Sequence, residues 1–315
     1  MTKPIINDMK SLHFGGAQHV VSSRLQHMVN AAIQAASSNE CLTNKHIHQD
    51  FCASYLQWIS ATKSNSWHGL EQFPVMSFSN GTTESFDKFY LKNIGSRLRF
   101  FRGEYMYHQV AARRYFKQSC FIEDQPLSKD DAVVISFPFS DTGNEHDLMR
   151  SVLQQCTALQ IPVLLDCSYF GVCSGLQFDL DHDCITDVTF SLSKCFPVPN
   201  LRIGMRLSRT DDDDLLLVLN KTGYVNRLAC AVGLDLIKIY HADYIWQTYQ
   251  TAQKQICDTL QVSPSHCVIF GIDSHLRYPE YNRGGNTNRL CLSKYLEAPD
   301  SLPPHENTSR GNYGL

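Results

Sequence analysis

The sequence predicts a doubly wound α/β fold with a mainly parallel sheet, on three observations. Strand-like apolar runs recur near 73–79, 97–102, 133–139, 161–166, 185–191 and 202–208, separated by segments of helical length. Between two of these runs Leu148, Met149, Val152, Leu153, Cys156 and Leu159 repeat at helical spacing, the pattern of a helix laid along a sheet. Polar residues gather where the runs end, and open α/β sheets place their clefts at the carboxyl ends of strands.

In chain order, 20–36 reads as a helix, and the close pair His46 and His48 reads as a solvated turn. The strand at 73–78 breaks at Ser79-Asn80-Gly81-Thr82-Thr83-Glu84 and continues as a helix. A strand, a glycine turn and a helix N-terminus together make an anion site, although many α/β proteins place a glycine there for the turn alone. The run 133–139 ends in Ser140-Asp141-Thr142-Gly143. The run 161–165 is continuously apolar, as in a strand covered on both faces, and ends in Asp166-Cys167-Ser168-Tyr169. The acidic stretch 211–214 caps or precedes a helix at 215–219 and lacks the spaced ligands of a calcium loop. Beyond 215 the texture changes to long helical stretches, 229–240 and 244–260, followed by strand-like 267–270 and 288–292, which suits a smaller α+β domain. The polar stretch 301–315 is expected to be a flexible tail.

A net charge of −3 on 315 residues gives no basic field for nucleic acid and no pull toward anionic membranes. No stretch approaches the roughly 20 apolar residues of a membrane helix, and residues 1–30 lack the apolar core of a signal peptide. The twelve cysteines are scattered without regular spacing, so reduced thiols and a cytoplasmic location are the expectation. No Cys-x-x-Cys or His-Glu-x-x-His spacing occurs, and no metal site is expected.

Lys194, in Phe190-Ser191-Leu192-Ser193-Lys194, carries the most information. A lysine delivered from a buried strand can lose its proton and form a Schiff base with a carbonyl compound, although a lysine after a strand is by itself an ordinary surface residue. Asp166 at a strand end can keep a pyridine nitrogen protonated, or can serve as a turn or N-cap residue. Tyr169, three residues on, can hydrogen-bond a phenolic oxygen or simply pack. Arg202, eight positions after Lys194, suits bidentate binding of a phosphate, and the hydroxyls of Ser191 and Ser193 offer further donors.

Collectively these residues resemble the fold-type I pyridoxal phosphate enzymes, most closely the class I/II aminotransferase family, over roughly residues 70–292. The resemblance implies Lys194 as the lysine joined to the cofactor, Asp166 on the pyridine nitrogen, Tyr169 on the phenolic oxygen, and Ser191 with Arg202 on the phosphate. Asn80, Gly81 and Thr82 fall at the phosphate-cradling loop. Tyr105 falls where the family stacks an aromatic on the ring, and Arg289 where it clamps the substrate carboxylate. The resemblance also implies a large domain over 61–215, a small domain from 1–60 and 216–300, and a homodimer, for which Tyr55 and Tyr224 are weak cross-subunit candidates.

One departure bears on the reaction. Where many relatives carry an Asn-Pro-Thr-Gly turn this chain has Ser140-Asp141-Thr142-Gly143, and the shorter hydroxyl of Ser140 has to serve the phenolic oxygen. Only 121 residues follow Lys194, which makes the substrate-binding half short. The leading expectation is an aminotransferase acting on an amino acid and a 2-oxo acid; the alternative is a lyase, decarboxylase or oxidase on the same fold. Arg227 and Arg283 are candidates for a distal carboxylate, each read as a surface residue when taken alone.

Overall fold

The computed structural model describes residues 16–37, 43–212 and 214–296. The expected tail at 301–315 lies outside them, as does Asp213 of the acidic stretch. The predicted alternation of strand and helix is present. A seven-stranded sheet has the spatial order β2-β9-β8-β6-β5-β3-β4. Its strands are β2 (Val75–Asn80), β3 (Arg97–Phe100), β4 (Ser119–Phe121), β5 (Asp131–Ser136), β6 (Val163–Asp166), β8 (Ile185–Ser191) and β9 (Ile203–Ser208). Only β9 runs antiparallel to its neighbours, so the sheet is mixed but mainly parallel. A short parallel pair, β1 (Ser66–His68) with β7 (Gln177–Asp179), lies apart from it. An antiparallel sheet of β10 (Ser263–Pro264), β11 (Phe270–Asp273) and β12 (Asn288–Cys291) completes the strands.

Two hydrophobic clusters cover the two faces of the sheet, and the strands show why. Along β5, Ala132 and Val134 belong to one cluster while Val133 and Ile135 belong to the other; along β6, Leu164 faces one way and Val163 and Leu165 the other. Period-two alternation with both sets apolar is what a sheet buried on both faces requires. The smaller cluster is roofed by α3 (Thr82–Lys92), through Phe86, Phe89 and Tyr90, and by α4 (Met106–Tyr115), through Ala111 and Ala112. The larger is roofed by α2 (Ile47–Ser60), α5 (Met149–Leu159) and α7 (Arg227–Ile239), with α1 (Ser23–Ala36) packed on α7. Two further helices, α6 (Leu215–Thr222) and α8 (Tyr244–Leu260), lie in the later part of the chain.

The pair His46 and His48 corrects the expectation of a solvated turn. His46 is exposed at the start of α2, but His48 is 4 % exposed inside its first turn. Ile47, Phe51, Tyr55 and Ile59 follow one another at helical spacing and bury a single face, and that packing decides the local structure. Asp214 caps α6, accepting from the Leu217 backbone N–H at 2.9 Å. The predicted strand at 267–270 is largely a loop, and its strand begins at Phe270.

The topology fixes where chemistry can occur. Because β2, β3, β5, β6 and β8 are parallel and β9 is not, the carboxyl ends of the first five and the amino end of β9 share one edge. Asp166 there is in register with Ser136 on β5 and with Thr189 on β8. Thr82, Tyr105, Ser140, Asp166, Lys194 and Arg202 all stand at or just beyond that edge, although they span 121 positions of the chain.

Candidate active site

A cavity of about 410 Å³ opens at this edge, within the range of small-molecule sites. Its lining includes Thr82, Tyr105, Ser140, Asp166, Tyr169, Ser193, Lys194, Arg202 and Arg289, so nine of the twelve residues singled out from sequence meet in one place. Of the other three, Ser191 stands behind Ser193, their hydroxyls 2.8 Å apart. Gly81 stands behind Arg202. Asn80 is exposed and turned away, its backbone N–H donating to Glu84 Oε2 at 2.6 Å and its side-chain amide to the same oxygen at 3.1 Å.

Lys194 sits in the loop after β8, and its Nζ donates to the Ala17 carbonyl at 2.6 Å. Burial, with Arg289 and Arg202 nearby, draws its pKa down to about 8 against the opposing pull of Cys291 and Asp166. A lysine in this state supplies neutral amine near neutral pH, which a nucleophile or proton carrier needs.

Asp166 ends β6, and its Oδ1 accepts the backbone N–H of Ser168 at 3.0 Å together with the Ser168 hydroxyl. Burial, with the like charge of Glu104, outweighs those bonds and the pull of Lys194, and its pKa rises to about 7. A carboxylate so placed stabilises a cation brought against it. Ser168 in turn lies 3.3 Å from the Thr82 hydroxyl, tying the end of β6 to the start of α3.

The Arg202 end is built around two glycines. A Cβ on Gly81 would lie 2.2 Å from Arg202 Nη2, and one on Gly204 would lie 2.9 Å from the Gly81 Cα. The guanidinium occupies the space that the missing side chain leaves, donating to the Thr83 hydroxyl at 3.1 Å and the Pro199 carbonyl at 3.4 Å. Arg202 itself has φ +56°, a left-handed conformation that a non-glycine residue adopts at a cost of about 1 kcal/mol or more. Arg202, Thr82 and Thr83 thus face the cavity beside the N-terminus of α3, whose dipole favours an anion.

Arg289, on β12, is 1 % exposed. Its Nη1 donates to the Ser140 carbonyl at 2.5 Å and approaches the Tyr169 hydroxyl at 3.5 Å, while its guanidinium carbon lies 4.4 Å from the centre of the Phe270 ring. Tyr105, at the N-terminus of α4, is 40 % exposed and turns its ring into the cavity beside Tyr107 and His108.

Sequence reasoning missed Gly16, Ala17, Thr83, Met106, Tyr107, Val110 and Ser168 in the lining, and offered Arg283 as a candidate for a distal carboxylate or, taken alone, a surface residue. The Arg283 side chain is 11 % exposed and faces the cavity, with Nη2 3.5 Å from the Ser140 hydroxyl and Nε 3.9 Å from Asp141 Oδ1. The chain segment 16–21 reaches the cavity because it is tied to the segment after β12: Ser293 Oγ donates to the Gln18 carbonyl at 2.6 Å, and the Val21 N–H donates to the Ser293 carbonyl at 3.2 Å. Thr83 was the one legible omission, being next to Thr82 in the same turn.

No protein-family model and no curated protein sequence matches the chain. Solved structures match it closely in shape. The histidinol-phosphate aminotransferase from Clostridium acetobutylicum aligns over 89 % of this chain and 93 % of its own, at 11 % identity and a TM-score of 0.59. The L-threonine-O-3-phosphate decarboxylase from Porphyromonas gingivalis aligns over 86 % and 92 %, at 15 % identity and a TM-score of 0.56. The PLP-bound C-S lyase from Staphylococcus hominis aligns over 93 % of each chain, at 10 % identity and a TM-score of 0.64. Three reactions thus share one architecture, and at these identities the likeness is one of fold. The chain adopts the fold of these aminotransferases and their fold-type I relatives.

Proposed function

We propose that this protein is a pyridoxal phosphate enzyme that moves an amino group between an amino acid and a 2-oxo acid. The observation that carries the reading is the pairing of Lys194 and Asp166 in one cavity, an amine made easier to deprotonate and a carboxyl group buried where it awaits a cation. The lining agrees with the charge of the cofactor. Among the described residues that line it, Lys194, Arg202, Arg283 and Arg289 are cationic and Asp166 is the carboxylate, a lining suited to a phosphate and a substrate carboxylate. The space left by Gly81 sets a guanidinium at the start of α3, where a phosphate is best held.

When bound, the cofactor supplies an electrophilic carbonyl and a ring that takes up the electrons of the bond to be broken. The protein does the rest. Arg202, Thr82, Thr83 and Ser193 hold the phosphate. Asp166 would sit against the ring nitrogen and hold its proton, Tyr169 and Ser140 would supply hydroxyls to the ring oxygen, and Tyr105 would pack against the ring. Arg289 would bind and orient the substrate α-carboxylate. The Lys194 amine would bond the cofactor carbonyl and, as a neutral amine, would take up and return the α-proton.

In this reading the enzyme works in the cytoplasm as a homodimer. All eleven cysteines among the described residues are unpaired thiols, as a reducing compartment requires, and no helix among those residues is long and apolar enough to cross a membrane. Leu215, Val218 and Leu219 on α6, with Tyr224 at 78 % exposure, present the apolar surface on which we place the second copy.

The second reading, a lyase or decarboxylase, is favoured by Ser140 in place of an amide, since its hydroxyl lies toward Arg283 and a weaker bond to the ring oxygen would change the ring electronics. Incubation with amino acids and 2-oxo acids, with product analysis, separates the two. Stoichiometric appearance of a new amino acid and a new 2-oxo acid supports transamination; release of carbon dioxide or ammonia, or uptake of oxygen, replaces it with the second reading.

A further inference from the structure

Asp166 lines the cavity, and among the described residues the hydrogen bonds to its carboxylate all fall on one oxygen. Oδ1 accepts the Ser168 backbone N–H at 3.0 Å and the Ser168 hydroxyl, and Ser168 Oγ lies 3.3 Å from the Thr82 hydroxyl at the start of α3. We propose that Ser168 is a positioning residue that pins the Asp166 carboxylate by Oδ1 and so aims Oδ2 at the ring nitrogen of the cofactor. The inference rests on the pyridoxal phosphate reading above.

Three features support it. First, the turn at Asp166 needs no hydroxyl. Asp179 and Asp273 accept the backbone N–H two residues on in the same way, from Asp181 at 3.1 Å and His275 at 3.2 Å, and neither of those donors carries a hydroxyl. The Ser168 hydroxyl is therefore a second donor added to a turn that forms without it, and two donors on one oxygen restrain the rotation of the carboxylate. Second, the bond is sheltered. Ser168 and Asp166 are both buried, so water competes little for either, and Thr82 steadies Ser168 Oγ from the side of α3. Third, burial raises the Asp166 pKa to about 7, and the Ser168 hydroxyl is the largest influence opposing that rise. It favours the ionised form, the one that pairs with a protonated ring nitrogen.

The test uses the full chain and Ser168→Ala, which removes the hydroxyl and keeps the backbone N–H. In a spectral titration the variant should bind pyridoxal phosphate about 10-fold more weakly than wild type, the value of one hydrogen bond to a charged group. Inorganic phosphate, titrated as a competitor, should bind both proteins equally, because the hydroxyl acts at the ring end of the cavity. Without cofactor, removing the hydroxyl should raise the folded pKa of Asp166 further. The variant's deficit in urea unfolding should then be constant below about pH 6 and grow as pH rises through about 7, where wild type gives up the proton. Glu104, Lys194, Cys167, Tyr90, Tyr105 and Tyr169 also bear on the charge of Asp166, and they are the same in both proteins. In an Asp166→Asn background the deficit should not change with pH. A cofactor affinity in Ser168→Ala equal to that of wild type overturns the inference, as does a deficit that is flat with pH. An equal loss of phosphate affinity places the action of the hydroxyl at Thr82 and overturns it too. If wild type shows no cofactor absorbance band, the pyridoxal phosphate reading fails and this inference with it; a band in wild type with any of those contrary results sinks this inference alone.

Discussion

The two ends of the sheet bury charge in opposite ways. At the amino ends of β3 and β5, Arg97 and Asp131 sit in register, and Arg99 is completely enclosed beside them. Asp131 accepts Arg97 Nε at 2.6 Å, Arg99 Nη1 at 2.7 Å and the Ser128 N–H at 2.9 Å. Arg99 also donates to the carbonyls of Pro126, Phe121, Ile122 and Gln125. At the carboxyl ends of the parallel strands, Lys194, Arg202, Arg283 and Arg289 share a cavity with Asp166, the one carboxylate among the described lining residues, and the pKa values of Lys194 and Asp166 are pulled toward neutrality. The first cluster is nearly saturated by its own chain and holds the strands together. The second lines a cavity large enough for a small molecule. Perturbed titratable groups gathered in a cleft mark a candidate functional site.

That contrast can be broken at either end. Lys194→Ala should lower turnover by about 10⁴-fold or more, since in the proposed mechanism one group both bonds the cofactor and carries the proton. The melting temperature should stay near that of wild type, because among the described residues the amine's one hydrogen bond is to the Ala17 carbonyl. Asp131→Ala should do the reverse, costing about 3–5 kcal/mol in denaturant unfolding by stranding two arginines, one fully buried. Activity per folded molecule should persist in that variant.

The pH dependence of stability sharpens the comparison. Asp166 has a folded pKa of about 7, well above its ordinary value of 3.8, so the native state binds the proton more tightly than the unfolded chain. Its contribution is present below that ordinary value and is lost as pH rises toward 7, by about 2–4 kcal/mol. Asp141, raised to about 6 by burial, acts in the same direction. Without cofactor, Asp166→Asn should therefore gain on wild type progressively between pH 4 and 7 in urea titrations, and a constant difference across that range would contradict the assignment. The smallest effect is expected of Arg202→Ala, which removes charge-assisted hydrogen bonds of about 1.5–3 kcal/mol and should weaken pyridoxal phosphate binding by about 10- to 100-fold in a spectral titration.

The carboxyl edge was legible in the sequence because its residues follow their strands directly. Asp166 ends one apolar run, Lys194 comes three positions after another, and Arg202 precedes a third, so locating the strands located the cavity they line. Within the seven-stranded sheet the strand limits moved by a few residues, most at 133–139, where the strand is 131–136 and the rest becomes the turn that carries Ser140. Arg283 was legible only as one of two arginines open to a distal carboxylate, and its place in the lining was not. It meets Ser140 across 143 positions of sequence, and nothing in Tyr281-Asn282-Arg283-Gly284 marks it as enclosed. Gly16 and Ala17 were hidden for the same reason, since only their link to the segment after β12 brings them to the cavity. The amino-end cluster was silent too: Arg97 and Arg99 alternate along a short strand as exposed edge residues do, and only the structure shows Arg99 enclosed and Arg97 half-buried against Asp131 of the neighbouring strand.

The most direct test of the central claim is to mix the purified protein with pyridoxal phosphate, reduce with borohydride and map the labelled peptide by mass spectrometry. The account predicts a visible absorbance band, a single reduced adduct on Lys194 and none in Lys194→Ala. A folded protein that shows no band, or that carries its adduct on another lysine, would contradict it.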